Sequence, residues 1–378
     1  MKLPPLSLYV HIPWCVQKCP YCDFNSHGLK SSIPETAYVQ HLLDDLKHDL
    51  KYVQGRQLHS IFIGGGTPSL FSETAINTLL KGIEALIPFK DDMEITLEAN
   101  PGTVEAKRFE GYVKAGVNRI SIGVQSLQQD KLKQLGRIHN PEEAINAATL
   151  AKSIGLNSFN MDLMHGLPNQ TTQDALSDLQ KVIALNPAHI SWYQLTIEPN
   201  TQFASKPPKL PEDETLWDIQ EQGHQLLEAA GYKQYEISGY SKSNYQCQHN
   251  LNYWRFGDYL GIGCGAHGKV TLTESNEVIR TVKVKHPKGY MDLTRPYLFD
   301  SWTVAHDELP FEFFMNRLRL HEAFDINEFE HYTGRPLETI TTHLNEAEKA
   351  GLMQHNDETW QVTAKGHRYL NDLLQLFV

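Results

Sequence analysis

"HIPWCVQKCPYCDFNSHG" (residues 11–28) places Cys15, Cys19 and Cys22 within eight residues. Thiols at Cys-x3-Cys-x2-Cys spacing can wrap one metal centre, because the short spacers turn the backbone around it. A closed zinc site or a closed iron–sulfur cluster takes four protein ligands, yet Phe24 stands where a further thiol would be expected. Two centres stay open on this pattern. In a [4Fe–4S] cluster the three thiolates would hold three irons and leave the fourth for a non-protein ligand. With zinc, His11 or His27 would complete a Cys3His set. Structural zinc usually staples a small domain that lacks a core, whereas this loop follows the first strand of a large one. Its position favours the cluster.

Outward from that loop, strand-like and helix-like segments alternate. "SLYVHI" (7–12) reads as a buried strand. A helix starts near Pro34, a favoured first-turn residue, with Val39, Leu42, Leu43, Leu46 and Leu50 on one stripe. "HSIFI" (59–63), "EITLEANP" (94–101), "RISIGVQS" (119–126), "SFNMDLMHGLP" (158–168) and "HISWYQLTIEP" (189–199) follow as strands. Helices are expected at 75–87, 104–116, up to Gly155, near 171–185 and near 212–230. Such alternation demands a parallel sheet with crossover connections. Six units are fewer than the eight of a closed TIM barrel. The expected fold class is α/β, an open, partial (β/α)6 barrel. Each strand ends in a polar or glycine feature: the cysteine loop, GGGT, Glu98, Gln125, Asp162 and Thr196. Strand ends of a parallel barrel converge on one face, so these six features point to a shared site.

From about 240 to 305 the periodicity dissolves into Gly-, Tyr- and Asn-rich sequence. After it come three short helical patterns, a hairpin and a last helix, a winged-helix-like arrangement. The expected division is a barrel core at 1–238, a connecting segment at 239–305 and a small, mostly helical C-terminal domain at 306–378.

The formal charge of −11 argues against a general nucleic-acid binder, including for the C-terminal module, since such surfaces carry an excess of Lys and Arg. No apolar run approaches the roughly 20 residues of a bilayer span. The first residues lack the apolar core and cleavage site of a secretory signal. Five cysteines, three of them clustered and Cys247 and Cys264 far away, fit a metal site in a reducing compartment, so cytoplasm is expected.

The cysteine motif after the first strand, with Tyr21 just before its last thiol and GGGTP after strand two, resembles the radical S-adenosylmethionine (SAM) superfamily. There, the open iron chelates SAM, and electron transfer from the cluster breaks a sulfonium C–S bond. "YVHIPWC", "GGGTPS", "LEANP", "GVQS", "LGRIH" and "DLMHGLP" together resemble the branch that holds oxygen-independent coproporphyrinogen dehydrogenase and a family of heme chaperones. The likeness runs over essentially the whole chain and is closer to the chaperones. It implies that Tyr9 lies beside the cluster-bound SAM and that Gly65 and Glu98 hold that molecule. Gly66, Thr67, Gln125, Arg137 and Asp162 match positions that contact a second SAM in the dehydrogenase, with Tyr21 nearby. Each has a plain alternative: a helix cap for Glu98 or Asp162, a surface ion pair for Arg137.

Two departures weaken the dehydrogenase reading. That enzyme has a further cysteine in a Cys-x-Cys ending, where this sequence has Cys22-Asp23-Phe24, and a longer arm before its cluster. "HNLNYW" (249–254) matches a stretch of the chaperones proposed to take part in heme binding. His249 can offer a neutral imidazole to iron, and Tyr253 and Trp254 a flat surface. The alternative is an ordinary loop histidine among the chain's 18 and aromatics that belong to the core. "GCGAHG" (263–268) satisfies G-x-G-x-x-G without the βαβ context, so a tight glycine turn is expected. Cys247 and Cys264 read as plain thiols that could touch heme. The resemblance thus implies a heme-binding protein with a [4Fe–4S] cluster and SAM that passes heme to acceptor apoproteins, among them membrane respiratory enzymes, with a homodimer left open. A porphyrinogen-decarboxylating radical enzyme and a zinc-stapled binding protein are the competing readings.

Overall fold

"LSLYVHI" is hydrophobic at every second position, and this alternation decides where the first strand sits. The computed structural model describes residues 1–30, 32–103, 106–156, 158–356 and 359–378. Strand β1 (Leu6–Ile12) buries Leu6, Leu8, Val10 and Ile12 completely on one face, which leaves Ser7, Tyr9 and His11 for the other. β2 (Leu58–Gly65), β3 (Phe89–Ala99), β4 (Arg119–Gln125), β5 (Ser158–His165) and β6 (His189–Gln194) repeat the pattern. Each pairs in parallel with its predecessor. The intervening helices are α1 (Glu35–Asp49), α2 (Glu73–Leu86), α3 (Ala106–Ala115), α4 (Gln129–Gln134), α5 (Pro141–Ser153) and α6 (Thr172–Leu185), and α7 (Asp213–Ala229) follows β6. The open, partial (β/α)6 barrel is present. The first two residues of the helix expected at 104–116 lie outside the described residues.

Polar residues line the inner face, a pattern opposite to a closed apolar barrel. His189 Nδ1 meets Asn160 Oδ1 at 2.6 Å, Asn160 Nδ2 donates to Ser121 Oγ at 2.7 Å and to Asp162 Oδ1 at 2.8 Å, and Ser7 and Ser60 share a 2.7 Å hydroxyl contact. Buried polar groups survive only when so paired, and this chain of bonds ends at the strand ends, where Asp162 sits.

The segment from 239 onward is more ordered than its irregular composition suggests. Of two short strands, β7 (Lys233–Gln234) and β8 (Gly239–Ser241), β8 adds antiparallel to β6 and β7 antiparallel to β8. Helix α8 (Gln248–Trp254) leads into β9 (Asp258–Ile262), which pairs in parallel with the free edge of β1. β10 (His267–Leu272), β11 (Glu277–Lys283) and β12 (Leu298–Thr303) then continue antiparallel. The result is one open twelve-stranded sheet, β12-β11-β10-β9-β1-β2-β3-β4-β5-β6-β8-β7. The GCGAHG stretch is the tight turn between β9 and β10. Gly263 and Gly265 have φ of +101° and +75°, and a Cβ on Gly263 would lie 2.4 Å from the carbonyl oxygen of His11.

The C-terminal module has helices Leu309–Arg317, Asn327–Thr333 and Glu338–Lys349. A three-stranded sheet of Phe324–Asp325, Met353–Asn356 and Thr359–Val362 accompanies them, with two short helices at the end. This is the winged-helix-like arrangement, and the hairpin residues 357 and 358 lie outside the described residues. Its core, built on Phe313, Phe314, Phe324, Phe329 and Phe377, is separate from the barrel core and reaches Phe256, Val278 and Val304 of the sheet extension. Among the described residues no helix is long and apolar enough to cross a membrane.

Candidate functional site

Two cavities open side by side at the C-terminal ends of the parallel strands. The first, about 380 Å³, is lined by Cys15, Cys19, Cys22, Tyr21, Gly65, Gly66, Thr67, Glu98, Gln125, Arg137, Asp162 and Thr196. The strand-end features expected to converge therefore do so. The second, about 750 Å³, is lined by Tyr9, His249, Tyr253, Tyr259, Phe62, Lys18 and Lys285, among others. Cys22, Gly65 and Glu98 line both, so the cavities share a wall. Tyr9 belongs to the second cavity and not to the first.

The cysteine loop is held by its own backbone. Trp14–Cys15 pairs with His27–Gly28, and the Cys22 N–H donates to the Cys19 carbonyl at 3.2 Å. Burial pushes the Cys15 and Cys22 thiols up, and the Thr67 and Ser26 hydroxyls partly offset this. Arg137 Nη1 stands 3.6 Å from Cys19 Sγ, and Ser26 Oγ 3.8 Å from Cys22 Sγ. Donors facing sulfur are what thiolate ligands require, so the loop fits a metal centre. His11 is ill suited to complete a zinc set: its Nδ1 meets Tyr9 Oη and its Nε2 the Asn25 carbonyl, each at 2.9 Å. Among the described residues no three His, Cys, Asp or Glu side chains gather to hold a single ion.

The GGGT turn is constrained from within as well as by any ligand. Gly65 has φ of +109°, and a Cβ there would lie 2.4 Å from the His11 ring. A Cβ on Gly66 would lie 2.6 Å from the Trp14 carbonyl oxygen. Glu98 Oε2 accepts the Gly65 N–H at 3.0 Å. Burial raises the Glu98 carboxyl to about 8, the nearby Asp162 adds to this, and the Gly65 N–H and Arg119 pull it back. Asp162 is raised by burial too, and accepts from Asn160 and from Ser121 Oγ at 3.0 Å. Arg137 donates through Nη2 to the Gly123 carbonyl at 2.8 Å and to Asn100 Oδ1. Gln125 holds φ of +65°, where β4 and β5 shift register, and accepts from Tyr193 Oη at 2.9 Å. A non-glycine residue so placed is a strained position of the kind found at ligand sites. Tyr193, Ser191 and Glu198 also line this cavity without having been singled out in the sequence. Their signal is the inner-face alternation of β6 and the turn after it.

In the second cavity, Phe62 lies 5.2 Å from the His249 ring and Tyr253 lies 4.9 Å from Tyr259, ring centre to centre. His249 Nδ1 meets Ser60 Oγ at 3.0 Å, and Nε2 has no hydrogen-bond partner among the described residues. Burial pushes the imidazole down to about 3, aided by Arg119, so the ring stays neutral. Tyr253 shares the face of His249 because it follows four residues later on α8. Trp254 does not: the Arg319 guanidinium covers it at 4.4 Å, and it packs beside Tyr235, Leu251 and Leu320. Trp254 is thus not part of the cavity wall, contrary to the expectation that it offers a surface to a porphyrin. Cys247 and Cys264 are buried thiols, near Glu94 and the Lys285 carbonyl, and line neither cavity.

Residues 9–182 match the family model described as the radical SAM superfamily, and residues 304–369 match the HemN C-terminal domain. The chain is 61% identical over 378 residues to the heme chaperone HemW of Escherichia coli (strain K12), spanning 100% of this chain and 99% of that one. It is 61% identical over 381 residues to HemW of Haemophilus influenzae, and 32% identical over 382 residues to HemW of Bacillus subtilis, where the spans are 98% and 99%. Among solved structures, the coproporphyrinogen III oxidase HemN of Escherichia coli superposes with a TM-score of 0.84 at 24% identity, covering 99% of this chain and 90% of that one. That likeness is one of fold.

Proposed function

Because the chain belongs to the radical SAM superfamily and, within it, to the HemW family of heme chaperones, we propose that it binds heme in the second cavity and delivers it to acceptor apoproteins, membrane respiratory enzymes among them. The observation that carries this reading is the neutral His249, with Nε2 unpartnered among the described residues, in an aromatic-walled cavity of about 750 Å³, within the range of small-molecule sites. A neutral imidazole is the form that ligates iron.

Superfamily membership implies SAM and a [4Fe–4S] cluster. Cys15, Cys19 and Cys22 would hold three irons, and the set fits because donors already face two of the sulfurs. Such a cluster, when bound, supplies the electron for reductive chemistry on SAM. This chain's own residues bind and orient. Gly65 lets the backbone approach closely, and Glu98 accepts from a bound ammonium or ribose, with Tyr9 on the far side of their shared wall. Gly66, Thr67, Gln125, Arg137 and Asp162, with Tyr21, form the part of the first cavity suited to a second SAM. Arg137 also offsets the negative charge of the thiolates. We assign the radical SAM core to 1–238, a connecting segment with the HNxxYW motif to 239–305 and a C-terminal domain to 306–378, and place the protein in the cytoplasm.

The test uses protein reconstituted anaerobically with iron and sulfide. Hemin should bind stably and pass to an acceptor apoprotein, and His249→Ala should weaken hemin binding about tenfold, the loss of one good ligand contact, with iron and sulfide unchanged. Formation of protoporphyrinogen from coproporphyrinogen, SAM and a reductant would overturn the chaperone reading in favour of a porphyrinogen enzyme.

A further inference from the structure

The second cavity is chemically two-sided. Phe62, Tyr253 and Tyr259 make an aromatic wall, and the opposite character comes from Lys18 on the cysteine loop and Lys285 after β11. Both lysines are exposed, and neither ammonium has a carboxylate partner among the described residues. Among the described residues Lys18 Nζ donates only to the Phe24 carbonyl, at 3.0 Å. The two belong to one corner: the Lys18 ammonium acts on the His27 ring, which meets the Lys285 backbone carbonyl, and the Lys285 ammonium acts on His267. Asn25 Nδ2 ties the cysteine loop to the Lys285 carbonyl at 2.9 Å. His27 Nε2 is buried in this corner without a hydrogen bond among the described residues. Asp23 and Glu98 are the acids of the wall. The Glu98 carboxyl is raised to about 8, so it opposes the lysines little near neutral pH.

Unpaired ammonium groups beside an aromatic wall suit a flat apolar ligand that carries carboxylates on one edge. We propose that Lys18 and Lys285 form a carboxylate subsite of this cavity that receives the two propionates of a porphyrin and turns that edge of the macrocycle toward the cysteine loop. The inference rests on the heme reading above and adds the orientation and the recognising groups. Lys18 and Lys285 come from segments far apart in the chain, so the subsite exists only when the cysteine loop and the sheet extension are docked. Nothing in the aromatic wall or at His249 distinguishes a porphyrin acid from its ester, and the lysines do.

Hemin and its dimethyl ester are titrated, in the same detergent-containing buffer, into reconstituted wild type, Lys285→Gln and the Lys18→Gln/Lys285→Gln variant. Wild type should prefer hemin about tenfold, as expected for two partly exposed ion pairs, and the preference should shrink as salt rises. In the double variant the hemin-to-ester ratio should fall to about one, through loss of hemin affinity. An unchanged ratio in the double variant would overturn the subsite. Failure of wild type to bind either compound would overturn the heme reading itself. If the double variant holds less iron and sulfide than wild type, Lys285→Gln alone decides, with a fall in the ratio of about threefold expected and an unchanged ratio overturning the subsite.

Discussion

Glu94 Oε1 accepts the backbone N–H of His249 at 3.1 Å, while Oε2 accepts that of Gln248 at 3.1 Å. Glu94 lies on the inner face of β3, four residues before Glu98, and Arg119 Nε approaches it at 3.9 Å. One half-buried carboxylate thereby caps α8 and sets the height of His249 in the second cavity. Glu94→Ala leaves those amides and the Cys247 thiol without their acceptor. It should cost about 1–3 kcal/mol, the penalty of unsatisfied buried donors, in urea unfolding, and hemin affinity should fall with it. An unshifted unfolding midpoint would refute the capping role.

Cys19→Ser should leave reconstituted protein with almost no iron or sulfide, because two thiolates do not hold a cube. Full retention of both, measured by colorimetric assay, would contradict the assignment of Cys15, Cys19 and Cys22.

Glu98 is protonated for most molecules at pH 7, since its carboxyl is raised to about 8. A cationic ammonium bound beside it favours the carboxylate, so SAM binding should release a proton and tighten as pH rises from about 6 to 8. Calorimetry in buffers of different ionisation enthalpy reads the release. Glu98→Gln should abolish it and weaken SAM about tenfold, and equal proton release by the variant would be the contrary result.

His165 is buried against Trp192, ring centres 4.4 Å apart, with Nδ1 unpartnered among the described residues, and burial pushes its ring down to about 4. The unfolded chain takes up this proton near the ordinary value of about 6.5, the folded chain only near 4. Its stability contribution is therefore full above about 6.5 and declines as pH falls toward 4. By pH 5 that decline amounts to about 2 kcal/mol, so His165→Phe should gain that much on wild type between pH 7.5 and 5. A pH-independent difference in urea unfolding between the two would contradict it.

The parallel barrel was legible because Leu6, Leu8, Val10 and Ile12 alternate with Ser7, Tyr9 and His11, and the later strands repeat that rhythm. The sheet extension was not legible, because its core positions carry charge. Asp258 is fully buried in β9, where it meets Lys269 at 3.0 Å and Arg56 at 2.7 Å. Lys283 of β11 is buried between Asp45 and Asp49 of α1 at 2.6 and 2.7 Å. Strands that hide ion pairs do not show hydrophobic alternation, and Arg56 and Asp45 lie some 200 residues from their partners.

By itself the sequence determined the three thiols, their place after the first strand, and the strand-end residues that face one another, since short spacing and periodicity are local properties. Only the tertiary structure decided that Tyr9 and His249 share a second cavity, that Trp254 turns away from it, and that Glu94 and Ser60 grip His249. Those relations join segments more than 150 residues apart, and no local pattern encodes a contact that exists only once β1, β2 and β3 have brought α8 onto their inner face.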